Sequence, residues 1–593
     1  MKLSKLYCNY EDKFPTIVFN SGLNIIFGHI SDLSQKDRDS HNLGKTTLLH
    51  LIDFMLLKEV KSNFFLKNHQ QFNDFVFFLQ IELMDGTFLT IRRGADTKIS
   101  IKEHKNSDTD FREIPKEKWT YYEIGIENAK SIIDNKISFF FLGKFDFRKG
   151  LGYCFRSQED YGEVFRLQKY SRSPDIGWKP YLFCVMGLDS DILTKKYELK
   201  EGLDKEIEYE KKEAQKLGTE DSYDKIDTIL KVEKEEFDKE KKEIKEFDLL
   251  KNDLEINNEV INTIESQVGK LNDELYNTDH EIKQIEEILS QKIKFNIDNV
   301  KKLFEEVQVS MPNYLVKKYE DLLDFNNKVI FERQKHFSEK IIVLKEKSQE
   351  IKSKLESLNN DRITKLAHLR SSDFFSKYNN LQDRLNKKSQ QIGVLEERKK
   401  IFLDLEKLRE KISKLKLETE KIDKGIQDNI RSDNQVLALL KKTFTELTNS
   451  ILNIKGIISL SNNSSGNIDF KCDVINNTEG TEILTSESEG HSYKKLLAGI
   501  FDLSLAITHS SSPFYKTVFH DGIFEGDDDR KKMLFLNKVK EICRIYGIQY
   551  VMTLIESDLP EIENGKKYQF EESEIILHLS DDENGRLFKI TPF

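Results

Sequence analysis

A chain of 593 residues, 33% charged and 38% hydrophobic, has room for several domains but is too polar to pack as one globule, so a long solvated element is expected. Its net charge of −10 excludes a generally basic coat for nucleic acid, and any basic site must be local. Five scattered cysteines (Cys8, Cys154, Cys184, Cys472, Cys543) with no Cys-x-x-Cys exclude a disulfide framework and a zinc ribbon; with no N-terminal h-region and no run of about 18 apolar residues, a reduced, cytoplasmic protein without membrane contact is expected.

Residues 1–190 read as mixed α/β. Thr16–Phe19 and Leu23–Phe27 are strand-like, Phe75–Leu83 and Phe88–Arg92 flank Asp85-Gly86 as a hairpin, and Ile137–Leu142 is a further strand candidate. After Gly28 comes a polar insert near Ile30–Ser40, then His41-Asn42-Leu43-Gly44-Lys45-Thr46-Thr47, opening an apolar helix-like stretch, Leu48–Leu57. Strand, Gly-Lys-Thr and helix form the layout of a phosphate-binding loop. In such a loop backbone N–H groups from Asn42 to Thr47 and the helix N-terminus would hold phosphates, Lys45 would reach the β- and γ-phosphates and the Thr46 hydroxyl would ligate Mg²⁺; a chance Gly-Lys-Thr at a helix start is the plain alternative. The usual first glycine would stand where Asp39 is, so about eleven residues are inserted within the loop.

From 191 to 445 lysine and glutamate dominate. Ile261, Ile264, Val268, Leu271, Leu275, Ile282, Ile285 and Leu289 follow Leu254 on a 3–4 alternation, and further seams run through Ile341–Leu358 and Ile392–Ile422. Pro312 breaks the pattern, which predicts an antiparallel helical hairpin with its turn near 305–315. Unbroken arms would be on the order of 150–180 Å long, but Leu217–Tyr223 and Ser371–Phe375 interrupt the period.

Residues 446–593 return to α/β. Gly456–Leu460, Ile468–Val474 and Glu482–Leu484 are strand-like; a helix over Tyr493–Thr508, a strand ending at Asp521, a helix over Arg530–Tyr546 and a strand over Gln549–Leu554 follow. The hairpin returns this piece to the first one, so a nucleotide site split across both chain ends is expected. A carboxylate that positions Mg²⁺ and water should follow an apolar strand, and Val518-Phe519-His520-Asp521 supplies it. A catalytic glutamate is expected next, but that position is Gly522; Glu525 is the substitute, and Asp528 stands where a D-loop aspartate would. Upstream, Ser488 and Gly490 precede an apolar helix and suit contact with a nucleotide on a partner subunit, while Gln158 suits the sensing of Mg²⁺ and γ-phosphate. Taken singly, Ser488 and Gly490 also read as a helix cap, Asp521 as a turn residue and Gln158 as a surface residue. Their order around the helical arms is the specific signal.

This layout resembles the SMC-like branch of ABC ATPases. Asn42-Leu43-Gly44-Lys45-Thr46 looks like Walker A, Gln158 like the Q-loop, Ser488-Glu489-Gly490-His491 like a degenerate signature, Val518–Asp521 like Walker B and Asp528 like the D-loop. The insert, the Ser-Glu-Gly signature and the His-Asp-Gly segment resemble more narrowly the YydD-type ATPases of bacterial three-component defence systems, of which the Lamassu systems are best known. The resemblance implies an ABC-type α/β head built from both chain ends and joined by a long antiparallel coiled coil. It implies ATP and Mg²⁺, the metal held by Thr46, Gln158 and Asp521; catalysis by Asp521, Glu525 and Gln158; and head-to-head pairing with Ser488 and Gly490 acting in trans. It further implies sensing of double-stranded DNA and control of a nuclease or other effector, with a small accessory subunit, in antiphage or antiplasmid defence. Gly522, Leu554 in place of a switch histidine, and Glu489 depart from the family pattern and imply slow hydrolysis.

For DNA, Arg166, Lys169, Arg172 and Lys179, with Tyr170 and Trp178 interleaved, are the densest basic group outside the arms; an ordinary solvated surface is the plain alternative. Two other functions stay open: a DNA-repair ATPase of the same architecture, and a coiled-coil scaffold gated by nucleotide without significant hydrolysis.

Overall fold

The computed structural model describes residues 1–29, 43–95, 98–217, 222–252, 258–290, 314–365, 373–463, 466–478, 481–485, 491–526, 528–562, 566–582 and 584–590. The N-terminal segment carries β1 (Lys2–Cys8), β2 (Ile17–Val18), β3 (Leu23–His29), α1 (Lys45–Met55), β4 (Val76–Glu82), β5 (Phe88–Gly94), β6 (Ile99–His104), β7 (Tyr121–Ile124), α2 (Ile126–Ile137), β8 (Phe155–Arg156) and α3 (Lys179–Val185). Long helices follow: α4 (Ser190–Ala214), α5 (Tyr223–Asn252), α6 (Asn258–Ser290), α7 (Tyr314–Lys365) and α8 (Asp373–Arg431). The C-terminal segment holds α9 (Gln435–Leu452), β9 (Lys455–Asn462), β10 (Ile468–Thr478), β11 (Thr481–Thr485), α10 (His491–Thr508), β12 (Thr517–His520), α11 (Asp529–Tyr546), β13 (Gln549–Ile555), β14 (Glu561–Ile562), β15 (Lys566–Lys567) and β16 (Ile575–Ser580). Two units result, one of Met1–Glu206 with Ile412–Phe593 and one of Ile207–Lys411.

The first unit is organised by a five-stranded sheet in the order β16-β3-β13-β12-β8. Every pairing in it is parallel, and Ile25 lies against Met552 while Phe519 lies against Phe155. β3, β12 and β13 are buried along almost their whole length, as continuous apolar runs covered on both faces should be. A six-stranded antiparallel sheet, β2-β1-β4-β5-β6-β7, comes entirely from the N-terminal segment. The two sheets are stitched at Met1, whose carbonyl accepts from the Lys516 amide at 2.9 Å, and at Gln549, whose Oε1 accepts from the Leu3 amide at 2.9 Å. α1 buries Leu48, Leu51, Ile52 and Met55 on one stripe and packs on β4 and β5.

Two expectations change here. Ile137–Leu142 is not a strand: Ile133 and Ile137 belong to the buried stripe of α2, Ser138 ends that helix in the left-handed region (φ 57), and a 3₁₀ turn follows at Phe140–Leu142. A short apolar run has no alternation to separate the two readings, and Phe140 is in fact 83% exposed. The second change concerns the arm.

Within Ile207–Lys411, α5 and α8 run in opposite directions, since Asp227, Glu233 and Glu240 pair in turn with Lys399, Lys388 and Arg384. α6 and α7 do the same: Asp279 meets Ser348 (2.6 Å) and Lys352 (3.4 Å), and the later Glu286 meets the earlier Lys345 (2.8 Å). Ile282, Ile285 and Leu344 form a buried seam between α6 and α7 with Phe337 and Ile341 against it. α6 also lies along α8 in the same direction, with Tyr378 donating to Glu265 at 2.6 Å and His280 lying 3.5 Å from Glu397. The distal helix pair is therefore doubled back on the proximal pair rather than extending it as one straight hairpin. The turn expected near 305–315 and Leu254 of the first seam lie outside the described residues.

Candidate functional site

Parallel strands deliver their C-terminal ends to one edge of a sheet, where open α/β folds place their ligands. Here β12 runs into Asp521, β13 into Ser557 and Asp558, and β8 into Gln158, while α1 begins at Lys45. Lys45, Thr46, Gln158, Glu525, Lys532 and Asp558 line a cavity of about 440 Å³ at that edge. A second cavity, of about 300 Å³, lies on Leu49, Asp53 and Arg148 and holds none of the predicted phosphate-loop residues. Its wall is fixed by an Arg148–Asp53 pair at 2.6 Å. Burial works against the Asp53 carboxylate, but Arg148 and Lys58 overcome it and bring the group to about 2.

Gly44 precedes α1 with φ +96, and a Cβ there would stand 2.7 Å from the Leu587 Cβ, so only glycine fits. The Leu48 amide already donates to the Gly44 carbonyl at 2.9 Å, which starts the helix directly behind Lys45. Across the cavity Thr46 Oγ1 donates to Asp521 Oδ2 at 2.6 Å. Thr553 Oγ1 donates to the other Asp521 oxygen at 2.6 Å and accepts from the Gly522 amide at 3.0 Å. Asp521 is buried, and its amide donates to the Arg156 carbonyl at 3.0 Å.

One hydroxyl and one carboxylate side by side are hard oxygen donors of the kind that hold Mg²⁺ together with substrate phosphates. Gln158 fits the same set. Its Nε2 donates to Glu525 Oε1 at 2.8 Å, and because a carboxylate only accepts, this leaves the amide oxygen as the atom available to a cation.

The structure explains Gly522. Its φ is +66, and a Cβ would fall 2.6 Å from Gln158 Nε2. A glutamate at this position would displace Gln158, whereas Glu525, three residues on, reaches Gln158 from the turn. We expect Gly522→Glu to lower stability by about 1–2 kcal/mol, the usual cost of a left-handed side-chain residue, which thermal unfolding checks.

Asp528 caps α11, its side chain accepting from the Arg530 amide at 2.8 Å. Thr47 lies in the first turn of α1 but faces a separate shallow cavity with His50 and Lys58. Asn42, Ser488 and Gly490 lie outside the described residues, as does the polar insert.

The basic group expected to meet DNA is only partly available. Lys179 is buried, holds Asp175 at 2.9 Å and Asp469 at 3.4 Å, and donates to the Ile468 carbonyl, so it is withdrawn from that surface. Arg166 spends its guanidinium on the carbonyls of Tyr170, Ser171 and Ser173. Arg172 is exposed; Lys169 is exposed in part, but it lines the smaller cavity, where burial lowers its ammonium to about 8.

Sequence reasoning missed several groups. Lys495 and Lys532 are buried, Lys532 lines the cavity, and Lys495 lies 3.2 Å from Glu525 Oε2. Asp558 accepts from the Ile555 amide at 3.0 Å, and burial pushes its carboxyl up. Behind the cavity, Arg156 grips both oxygens of Asp502, at 2.7 and 2.8 Å, with neither residue exposed. His520 Nε2 lies 3.2 Å from Asp502, and its Nδ1 lies 2.7 Å from the Tyr550 hydroxyl. Burial pushes the imidazole below its ordinary range, so a neutral ring donating to Asp502 and accepting from Tyr550 satisfies every partner. The available cue was a lysine directly before the apolar run Leu496-Leu497-Ala498 and an aspartate within the same helix.

Among solved structures, the chain is similar to the Smc head domain with a coiled coil and joint from Pyrococcus yayanosii, at 13% identity and TM-score 0.32, over 93% of this chain and 92% of that one. It is similar also to the Smc head domain with an extended coiled coil bound to the C-terminal domain of ScpA from Pyrococcus furiosus, at 10% identity and TM-score 0.35, over 94% and 90%. The architecture given above rests on its own strand pairings. Residues 447–592 match a family described as "Uncharacterised protein conserved in bacteria (DUF2326)". Over 599 residues, 94% of each chain, the sequence is 22% identical to "Uncharacterized protein YydD" of Bacillus subtilis (strain 168). No helix among the described residues is long and apolar enough to cross a membrane.

Proposed function

We propose that this chain is a slow, SMC-like ATPase that pairs with a second copy through its two-ended unit and uses ATP as part of the pairing surface. The observation that carries the reading is the 2.6 Å contact between Thr46 and Asp521 beside Lys45, at the C-terminal edge of a parallel sheet. In this reading Lys45 and the backbone N–H groups of Gly44, Thr46 and Thr47, with Asn42, hold the phosphates. Thr46, Asp521 and Gln158 would hold Mg²⁺, which would neutralise phosphate charge. Glu525 takes the proton of the attacking water as the bond from the γ-phosphorus to the bridging oxygen breaks, releasing ADP and phosphate. Asp528, at the head of α11, and Ser488 and Gly490, just before α10, meet the partner's nucleotide. Differential affinity of ATP for the paired state then drives the arms.

The finer role we propose is a cytoplasmic sensor of double-stranded DNA, met through Lys169 and Arg172, that controls an effector nuclease with a small accessory subunit in defence against foreign DNA. This finer role rests on the sequence resemblance of the motif segments set out above. Gly522 favours one other reading, a scaffold gated by bound nucleotide. Hydrolysis by the purified chain, with and without linear and circular double-stranded DNA, separates them: turnover that responds to DNA is expected, and bound ATP without turnover would favour the scaffold. Glu525→Gln keeps the shape but loses the base. It is expected to accumulate an ATP-dependent dimer in size-exclusion chromatography, and a monomer with unchanged hydrolysis would remove Glu525 from the role.

A further inference from the structure

Glu525 sits in the turn after Gly522, with its side chain 39% exposed. A glutamate in such a turn samples several rotamers unless something holds it. Gln158 takes one oxygen at 2.8 Å. The other is 3.2 Å from the ammonium of Lys495, which also lies 3.4 Å from the Glu525 main-chain carbonyl, so one lysine grips both ends of the residue. The Lys495 side chain is only 8% exposed. Moving Glu525 away would strand a buried ammonium without its anion, which is costly.

Lys495 is itself set rigidly. It shares a face of α10 with Gly499 and Asp502, at spacings of four and seven residues. At Gly499 a Cβ would meet Ile523 at 2.5 Å and His520 at 3.2 Å, so this face lies directly on the Asp521 segment. Asp502 is bound to Arg156, two residues before Gln158, and to His520, one residue before Asp521. The helix is thus fastened to both strands that carry the cavity's polar groups. It begins at His491, the residue after Gly490.

We propose that Lys495 is a positioning residue for hydrolysis: it holds the Glu525 carboxylate on the cavity wall beside Gln158 and ties that position to the helix that follows Ser488 and Gly490. This deepens the ATPase reading and rests on it. A lysine serving only as packing would be replaced by methionine without loss, since its stem is buried. A positioning lysine acts on the chemical step and not on nucleotide binding.

The test is steady-state ATP hydrolysis by wild type, Lys495→Met, Lys495→Arg and Lys45→Ala in the full chain. We expect Lys495→Met to lower kcat about tenfold or more with KM within about twofold, and Lys495→Arg to recover kcat to within about threefold of wild type. Where methionine yields no folded protein, Lys495→Gln serves in its place, with the same expected loss. In a Glu525→Gln background, Lys495→Met should change kcat no further. Wild type turning over no faster than Lys45→Ala would overturn the ATPase reading and this proposal with it. Wild-type turnover with an unchanged kcat in Lys495→Met, a rise in KM that accounts for the loss, or no recovery by arginine would overturn the proposal alone.

Discussion

Replacing Lys45 by alanine should abolish ATP-dependent pairing of the chain. Lys45 lines the same cavity as Thr46 and Gln158 and stands first in α1, directly after a glycine that no other residue could replace. Charge-assisted hydrogen bonds contribute about 1.5–3 kcal/mol each, and a lysine reaching two phosphates loses more than one of them. We expect the affinity for ATP to fall roughly 100-fold, about 2.7 kcal/mol. Titration with a fluorescent ATP analogue gives the affinity, and light scattering with and without ATP gives the pairing. Retained ATP-dependent dimers in Lys45→Ala would sink the assignment of this loop. The fold should be untouched, because Lys45 lies on the cavity side of α1 and the buried stripe of that helix is Leu48, Leu51, Ile52 and Met55.

The second large effect concerns stability. Asp502→Leu would leave the Arg156 guanidinium buried without its anion, and removing one partner of a fully buried ion pair costs about 3–5 kcal/mol. The loss should show as a lower denaturation midpoint of the two-ended unit. Arg156→Met with Asp502→Leu should recover part of it, since two apolar side chains need no compensation. Recovery should be incomplete, because His520 loses its acceptor as well. Nucleotide affinity should fall with Asp502→Leu too, since Arg156 and His520 flank the positions of Gln158 and Asp521. If the double variant is no more stable than Asp502→Leu, the pair is not the source of the loss.

Continuous apolar runs such as Ile25-Ile26-Phe27 and Tyr550-Val551-Met552 were legible as buried strands because they are short, lie within runs punctuated by glycine, and suit a parallel sheet covered on both faces. The meeting of Thr46 with Asp521 beside Lys45 was expected from the order of strand, loop and helix, and the two lie 2.6 Å apart. The pair Arg156 and Asp502 was not, since 346 residues separate them and a lone aspartate in a helix carries no record of its partner. Lys179 was misjudged for the same reason: basic composition cannot distinguish an exposed lysine from one that ends against Asp175 and Asp469. In the arm, the seams identified buried positions such as Ile282, Leu344 and Ile351, because heptad spacing is local. The doubling back of the distal pair is set by contacts such as Tyr378 with Glu265, which no periodicity encodes.

The interleaving of strands in the parallel sheet bears on synthesis at the ribosome. β3 has β16 on one side and β13 on the other, and Asn24 reaches Tyr550 across 526 residues. At roughly 5–20 residues per second the chain spends on the order of half a minute to two minutes between making β3 and making its neighbours. Throughout that interval an apolar strand, Leu23–His29, has two open edges. The antiparallel sheet begun by β1 has all its strand pairings by Ile124, and only the stitches at Met1 and Leu3 wait for the C-terminal segment, so it is the part of the N-terminal segment equipped to fold early and shelter what must wait. Aggregation during expression, or dependence on a holding chaperone, should then track the length of helical arm inserted between the two halves, quite apart from how stable the finished protein is.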